Sequence, residues 1–261
     1  MGTLVAIEAR SPDGDLGEYA VDAAFAVIHK VESLLHPTRG ESELARLNRS
    51  PPGRRIPVHP WTLALLRLGR DLCARSDGLF EPALPRAGSI MHWLPAGGCA
   101  VMVQRRASVD FGGIAKGYAV DLAAAAMRRA GIRHGLINAS GDLRVFGDGY
   151  WPVTIRTGGT ATALQALEIH NCALATSDPD CGHRPPEHRG YYRGGMGWQR
   201  QPARPVAVMA PTAALADALT KVLMFAAPAH SARLLAHYGA RNVRLNSCRY
   251  PRTPAAGDRV R

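Results

Sequence analysis

Residues 110 to 121 gather the side chains of this chain best suited to chemistry: Asp110-Phe111-Gly112-Gly113-Ile114-Ala115-Lys116-Gly117-Tyr118-Ala119-Val120-Asp121. A carboxylate is followed by a glycine pair, a lysine and a helix-forming run of alanines. Glycines let the backbone approach a ligand with no Cβ in the way. A helix that starts just after such a loop turns free N–H groups and its positive dipole end toward an anion. Lys116 adds a movable full charge at the same point. The combination suits a phosphate or pyrophosphate, with Asp110 available to a sugar, a base or a metal. The spacing is that of neither a P-loop nor the three-glycine dinucleotide fingerprint. The competing reading is a plain strand-to-helix turn with a surface lysine. Of the 32 Lys plus Arg residues, only Lys30, Lys116 and Lys221 are lysines. Lysine is thus the uncommon cation here, as expected where a compact ammonium is preferred to a planar fork.

A second group lies near the C-terminal end. Asp217, Thr220 and Lys221 stand at i, i+3 and i+4, so they share one helical face. Leu215, Leu219, Val222, Leu223 and Phe225 supply the apolar stripe around them. A carboxylate and a hydroxyl on one face present oxygens to a hard divalent ion such as magnesium. An Asp–Lys surface pair is the plainer alternative.

The elements that must carry these groups are legible from periodicity and caps. An opening strand is expected from Gly2 to Arg10 and an amphipathic helix from about Glu18 to Leu35. A cap-like start follows at Glu41-Ser42-Glu43-Leu44, then a proline-rich turn at Pro51-Pro52-Gly53. A helix from Trp61 to Ser76 stops at Asp77-Gly78. A loop region with Pro82, Pro85 and Pro95 leads to a strand ending at Asp110. The helix after it, Ala115 to Ala130, stops at Gly131. Strands are expected at Gly135 to Ala139, Asp142 to Gly147, Val153 to Thr157 and Leu164 to His170. Residues 179 to 205 read as irregular. Pro205 to Met209 returns to strand, Thr212 caps a helix from Ala213 to Ala226, and Ser231 to Tyr238 is a last helix. Strand and helix blocks with antiparallel hairpins point to an α+β fold, and 261 residues suit one large domain or two intimately joined subdomains.

Composition excludes several classes. Hydrophobic content of 46% and charged content of 20% are those of a globular chain, and no run approaches the roughly 18 apolar residues of a membrane span. No charged, apolar and cleavable leader is visible, so the expectation for the chain as given is cytoplasmic. Cys73, Cys99, Cys172, Cys181 and Cys248 are odd in number and never in a CxxC pair, which argues against a disulfide framework or a zinc site. The net charge of +11 is spread along the chain without a nucleic-acid motif, so no nucleic-acid partner is expected.

Several segments together resemble the ApbE family, the FAD:protein FMN transferases, over residues 1–246, with a basic tail at 247–261. Met1-Gly2-Thr3 resembles the family's first-strand motif, and Ser42-Glu43-Leu44-Ala45-Arg46-Leu47-Asn48 its Ser-x-Leu-x-Arg-x-Asn segment. Ser76-Asp77-Gly78-Leu79-Phe80-Glu81-Pro82 is similar to Ser-x-Gly-Ala-Phe-Asp-Pro. Asp110 to Asp121 matches the most specific stretch, and Asn138-Ala139-Ser140-Gly141-Asp142 resembles an Asn-x-Gly-Gly-Asp turn. Ala175-Thr176-Ser177 and Ala216-Asp217-Ala218-Leu219 complete the order.

The resemblance implies an ApbE-like, T-fold-related α+β architecture of mixed sheets with packed helices. It also implies a reaction: magnesium-assisted attack by a Thr or Ser hydroxyl of an acceptor flavoprotein on the FMN phosphorus of FAD, with release of AMP. Met1, Phe80, Asp110 and Lys116 would contact FAD, while Gly113 (through its carbonyl), Asp217 and Thr220 would surround Mg2+. Three departures stand out. Lys221 occupies the position of a threonine common in the family; its ammonium either sits where the cation would be or points away while Thr220 serves. Thr38 replaces an aromatic residue. The His-Ile-x-Asp-Pro-x-Thr-Gly motif is missing between Ser177 and Pro205, where His188 is the nearest substitute for a catalytic histidine and His183 a second. The rival readings are a homologue that binds or only hydrolyses FAD, and a basic nucleic-acid-binding or scaffold protein.

Overall fold

A computed structural model describes residues 3–84, 88–157, 163–178 and 205–245. Their elements are β1 (Val5–Arg10), α1 (Gly14–Leu35), α2 (Glu43–Arg49), β2 (Arg55–Pro57), α3 (Pro60–Arg75), β3 (Trp93–Ala96), β4 (Ala100–Val103) and α4 (Ala115–Arg129). There follow β5 (His134–Ala139), β6 (Asp142–Phe146), β7 (Trp151–Thr157), β8 (Ala163–Ile169), β9 (Ala173–Ser177), β10 (Val206–Ala210), α5 (Ala213–Leu223), α6 (Pro228–His237) and β11 (Arg241–Val243). This is the expected α+β class. A six-stranded sheet runs in the order β1-β5-β6-β9-β10-β11, beside a three-stranded sheet β2-β4-β3 and the hairpin β7-β8. Every pairing of these strands is antiparallel.

Strand alternation explains the layering. Ala173, Ala175, Val206 and Val208 point to the side packed with α1, α4 and α5. Their neighbours Leu174, Ala207 and Met209 point to the other side, where Trp151, Ile155 and Ile169 of the β7-β8 hairpin cover them. With both faces covered, β10 is buried at all five positions, an apolar run rather than an alternating one.

Local signals account for most boundaries. The Asp13 side chain caps α1 by accepting the Leu16 N–H (3.2 Å), so that helix starts at Gly14, four residues before the expected Glu18. Ser42 and Thr212 cap α2 and α5 as expected, and Gly131 (φ 98°) follows the end of α4. Helix α5 ends at Leu223, short of Ala226. The strand expected before Asp110 is reduced to one bridge, Ala83 to Val109. Strands β2, β3, β4, β9 and β11 were not foreseen. Proline in β2 and β3 (Pro57, Pro95) hides a short strand, since it removes a ladder donor.

Burial pushes the Cys73 thiol up to about 12, with the Glu81 carboxylate adding to it, and burial raises that of half-buried Cys172 as well. Cys181, Cys248, most of the irregular 179–205 stretch and the basic tail lie outside the described residues. Among the described residues no helix is long and apolar enough to cross a membrane.

Candidate active site

The loop before α4 is held by side chains from two other segments. The Asn48 amide donates to the Val109 carbonyl (2.9 Å) and accepts the Val109 N–H (2.8 Å). The Asp110 N–H then donates to Pro82 O at 2.8 Å, and the Leu84 N–H to Ser108 O at 2.7 Å. Ser76 fixes Phe80 by accepting its N–H (2.9 Å). Residues 42–48, 76–82 and 108–110 thus converge on one turn. Asp110 shapes that turn, its Oδ1 accepting the Gly112 N–H at 2.7 Å. Because the Asn48 amide satisfies both backbone groups of Val109, Asn48→Ala is expected to cost about 2 kcal/mol. A urea unfolding midpoint checks this, and an unchanged midpoint would refute the clamp.

Helices α4 and α5 meet almost backbone to backbone. A Cβ on Gly117 would lie 2.2 Å from Ala213 O and 2.7 Å from Ala214 N, so only glycine permits this approach. One turn further along α4, Asp121 accepts the N–H groups of Ala213 (2.8 Å) and Ala214 (2.9 Å) and pairs with Arg144 (3.1 Å). A carboxylate on free N–H groups at a helix start is favourable on both hydrogen-bond and dipole grounds. Burial raises the Asp121 carboxyl, while those N–H groups and Arg144 oppose the rise.

The consequence is a cluster of four charges. Asp217 of α5 has no exposed side-chain surface; its Oδ2 lies 3.6 Å from Lys116 Nζ and accepts the Gly117 N–H at 3.4 Å. Its Oδ1 accepts from the Lys221 ammonium one helical turn on. The Lys116 ammonium also bonds Asp142 Oδ2. Asp142 opens β6 just after the two-residue turn Ser140-Gly141, whose residues have positive φ (52° and 96°), a hairpin geometry suited to glycine. The Ser140 hydroxyl donates to Leu4 O at 3.2 Å and accepts from the Thr3 hydroxyl, so the start of the chain lies against the same turn. Burial raises the Asp142 carboxyl, and the like charge of Asp217 raises it further; Lys116 and Lys221 pull the other way.

A protein-family model, that of the ApbE family, matches residues 1–98 and 100–244. The chain belongs to the ApbE family. It is 31% identical over 244 residues to a curated FAD:protein FMN transferase of Rhodobacter capsulatus, an alignment covering 77% of this chain and 45% of that protein. The chain therefore spans somewhat less than half the length of that relative. In fold it is similar to the flavinyl transferase ApbE of Pseudomonas stutzeri in its apo form (TM-score 0.77, 22% identity, 94% of this chain and 89% of that one). It is also similar to the ApbE protein of Thermotoga maritima (TM-score 0.75, 20% identity, 91% and 88%).

Within this ApbE fold the residues singled out from sequence fall as follows. Lys116 and Asp217 meet directly. Gly113 sits with Phe80 and Lys221: a Cβ there would lie 3.6 Å from Phe80 Cε2 and 4.0 Å from Lys221 Cγ. Asp110 forms the turn three residues before Gly113. Thr220 is on the same helix, but its hydroxyl faces Ser177 Oγ (2.7 Å) and donates to Asp217 O (2.7 Å). Met1, His188 and His183 lie outside the described residues. Asp142, Asp121 and Ser177 carry roles that sequence reasoning did not assign. Each closes a family-like segment, which was the available signal.

The magnesium implied by the family resemblance can be tested against these donors. A hard divalent ion needs about six oxygens, several of them anionic. Here both Asp217 oxygens are bonded to cationic or N–H groups, Asp142 is bonded to Lys116, and the Thr220 hydroxyl is engaged twice. Among the described residues no group of three or more His, Cys, Asp or Glu side chains is set to hold a metal ion. The arrangement does not fit a resident divalent ion, because the ammonium groups already supply the countercharge.

Proposed function

We propose that this chain binds FAD at the α4–α5 junction and transfers its FMN half to a Thr or Ser hydroxyl of an acceptor flavoprotein. The observation that carries this reading is Lys116 at the first turn of α4, next to Asp217 and behind the Gly112-Gly113 turn, in a chain of the ApbE family. The named activity of the Rhodobacter capsulatus relative supports it.

The chemistry is an in-line displacement at phosphorus. The acceptor hydroxyl oxygen forms a new bond to the FMN phosphorus, and the bond from that phosphorus to the bridging oxygen breaks. AMP leaves with the electron pair, and the hydroxyl proton passes to a base. His188 is our candidate for that base. The diphosphate carries the negative charge that must be offset, and pre-positioned cations offset it without reorganising as the reaction proceeds. Lys116 faces the diphosphate in this reading. Phe80 packs beneath Gly113, where the turn lets backbone approach the nucleotide, and Asp110 holds that turn. Asp142 and Asp217 orient Lys116 by sharing its ammonium.

Incubation with FAD and an acceptor domain tests the reading. The expected result is flavin fluorescence on the denatured acceptor, lost when its target hydroxyl is removed, with one AMP per transfer. FMN and AMP without labelled acceptor would instead mean hydrolysis, and no product would mean a binder.

A further inference from the structure

We propose that the Lys221 ammonium stands in for a divalent cation at Asp217, so that this chain holds the FAD diphosphate with its two lysines and needs no metal ion for binding. The inference rests on the FAD reading above and deepens it.

Three observations converge. Asp217 is fully buried, and each of its oxygens has a donor from this chain: Lys221 on Oδ1, and Lys116 with the Gly117 N–H on Oδ2. The cluster of Asp142, Asp217, Lys116 and Lys221 is electrically balanced as it stands, with two carboxylates and two ammoniums. In the flavin-free protein, adding a divalent ion would leave two uncompensated positive charges among side chains that are 0%, 4%, 11% and 28% exposed, a costly arrangement unless an ammonium leaves. Finally, two of the three lysines in an arginine-rich chain meet at this carboxylate. A lysine ammonium is a compact point charge, nearer to a metal ion in shape than a guanidinium is.

Lys221 lies beside Gly113 as well as on Asp217. The stem of Lys221 thus passes the turn where the diphosphate is proposed to sit, its Cγ 4.0 Å from where a Cβ of Gly113 would lie, and its ammonium ends on Asp217. With Lys116 on the other oxygen of Asp217, two fixed cations face one anionic group. Each holds the other in place through the shared carboxylate.

The test uses the full chain and two probes. Flavin-free protein is titrated with Mn2+ and followed by the electron paramagnetic resonance signal of the free ion. FAD binding is measured by fluorescence quenching in excess EDTA and in excess magnesium. The expected results are no loss of the Mn2+ signal and FAD affinities that agree within about twofold in the two buffers. Lys221→Met, which removes the charge and keeps the length, is expected to take up Mn2+ and to bind FAD about tenfold more weakly in EDTA than in magnesium. Stoichiometric Mn2+ uptake by the unaltered protein, or FAD binding that disappears in EDTA, would overturn this inference alone. Failure to bind FAD in either buffer would overturn the FAD reading and the inference with it.

Discussion

Gly117→Ala is expected to lower the thermal unfolding midpoint by about 10 °C and to abolish FAD binding at the same time. The added methyl would lie 2.2 Å from Ala213 O and 2.4 Å from Ala213 C, both backbone atoms at the start of a packed helix. No rotamer change relieves a clash with backbone, so α4 and α5 must move apart. Overpacking of this kind costs about 1–3 kcal/mol. Separation also stretches the Gly117 N–H bond to Asp217 and the two Asp121 bonds to Ala213 and Ala214, charge-assisted contacts each worth about 1.5–3 kcal/mol. Even partial loss brings the total to about 4 kcal/mol, which for a chain of this size corresponds to roughly 10 °C. Calorimetry together with flavin fluorescence reads both effects. An alanine variant with an unchanged midpoint would show that the two backbones are not in contact.

The second large effect is on Lys116. Lys116→Met should weaken FAD binding by about 30-fold, the equivalent of one charge-assisted contact near 2 kcal/mol. Lys116→Arg should not restore it, because a planar fork does not reproduce a point charge held between two carboxylates. The methionine variant also carries a pH signature. Burial and Asp217 already hold the Asp142 carboxyl above its ordinary value, and Lys116 is one of the groups that oppose this. Without that ammonium the carboxyl rises further. A carboxyl raised in the folded state binds its proton more tightly there than in the unfolded chain, so its contribution to stability is present at low pH and is lost as pH rises through the folded value. The stability deficit of Lys116→Met relative to the unaltered protein should therefore be larger at about pH 8 than at about pH 5. Pairing it with Asp142→Asn should recover stability without recovering FAD affinity. Equal deficits at both pH values would refute the Lys116–Asp142 ion pair.

The cluster also shows how sequence and structure divided the information. Helix α4 was legible because its signals are local: a glycine turn, an alanine run, and Gly131 at its end. The same holds for α2 and α5, each with a hydroxyl cap one residue ahead of it. Strands β2 to β4 were not legible, because strands of three and four residues, two of them carrying a proline (Pro57, Pro95), are too short to show a period and exist only through their partners. The strand expected to end at Asp110 is a single bridge for the opposite reason. It has strand-like residues, but its neighbour is the Asn48 side chain as much as another strand.

For the site, sequence singled out Asp110, Gly113, Lys116, Asp217 and Lys221 by residue type and spacing, and it placed Asp217 and Lys221 on one helical face. It left open whether Lys221 turns toward Asp217 or away, and it assigned nothing to Asp142. Spacing within one helix is fixed by 3.6 residues per turn, so an i, i+4 pair can be read directly from the chain. The meeting of Lys116 with Asp142 and Asp217 depends on how closely two helices and a hairpin approach one another. That distance is set by the missing Cβ of Gly117 against Ala213, a contact between residues far apart in the chain. Sequence by itself determined which groups carry charge; only tertiary packing decided that they neutralise one another around a buried carboxylate.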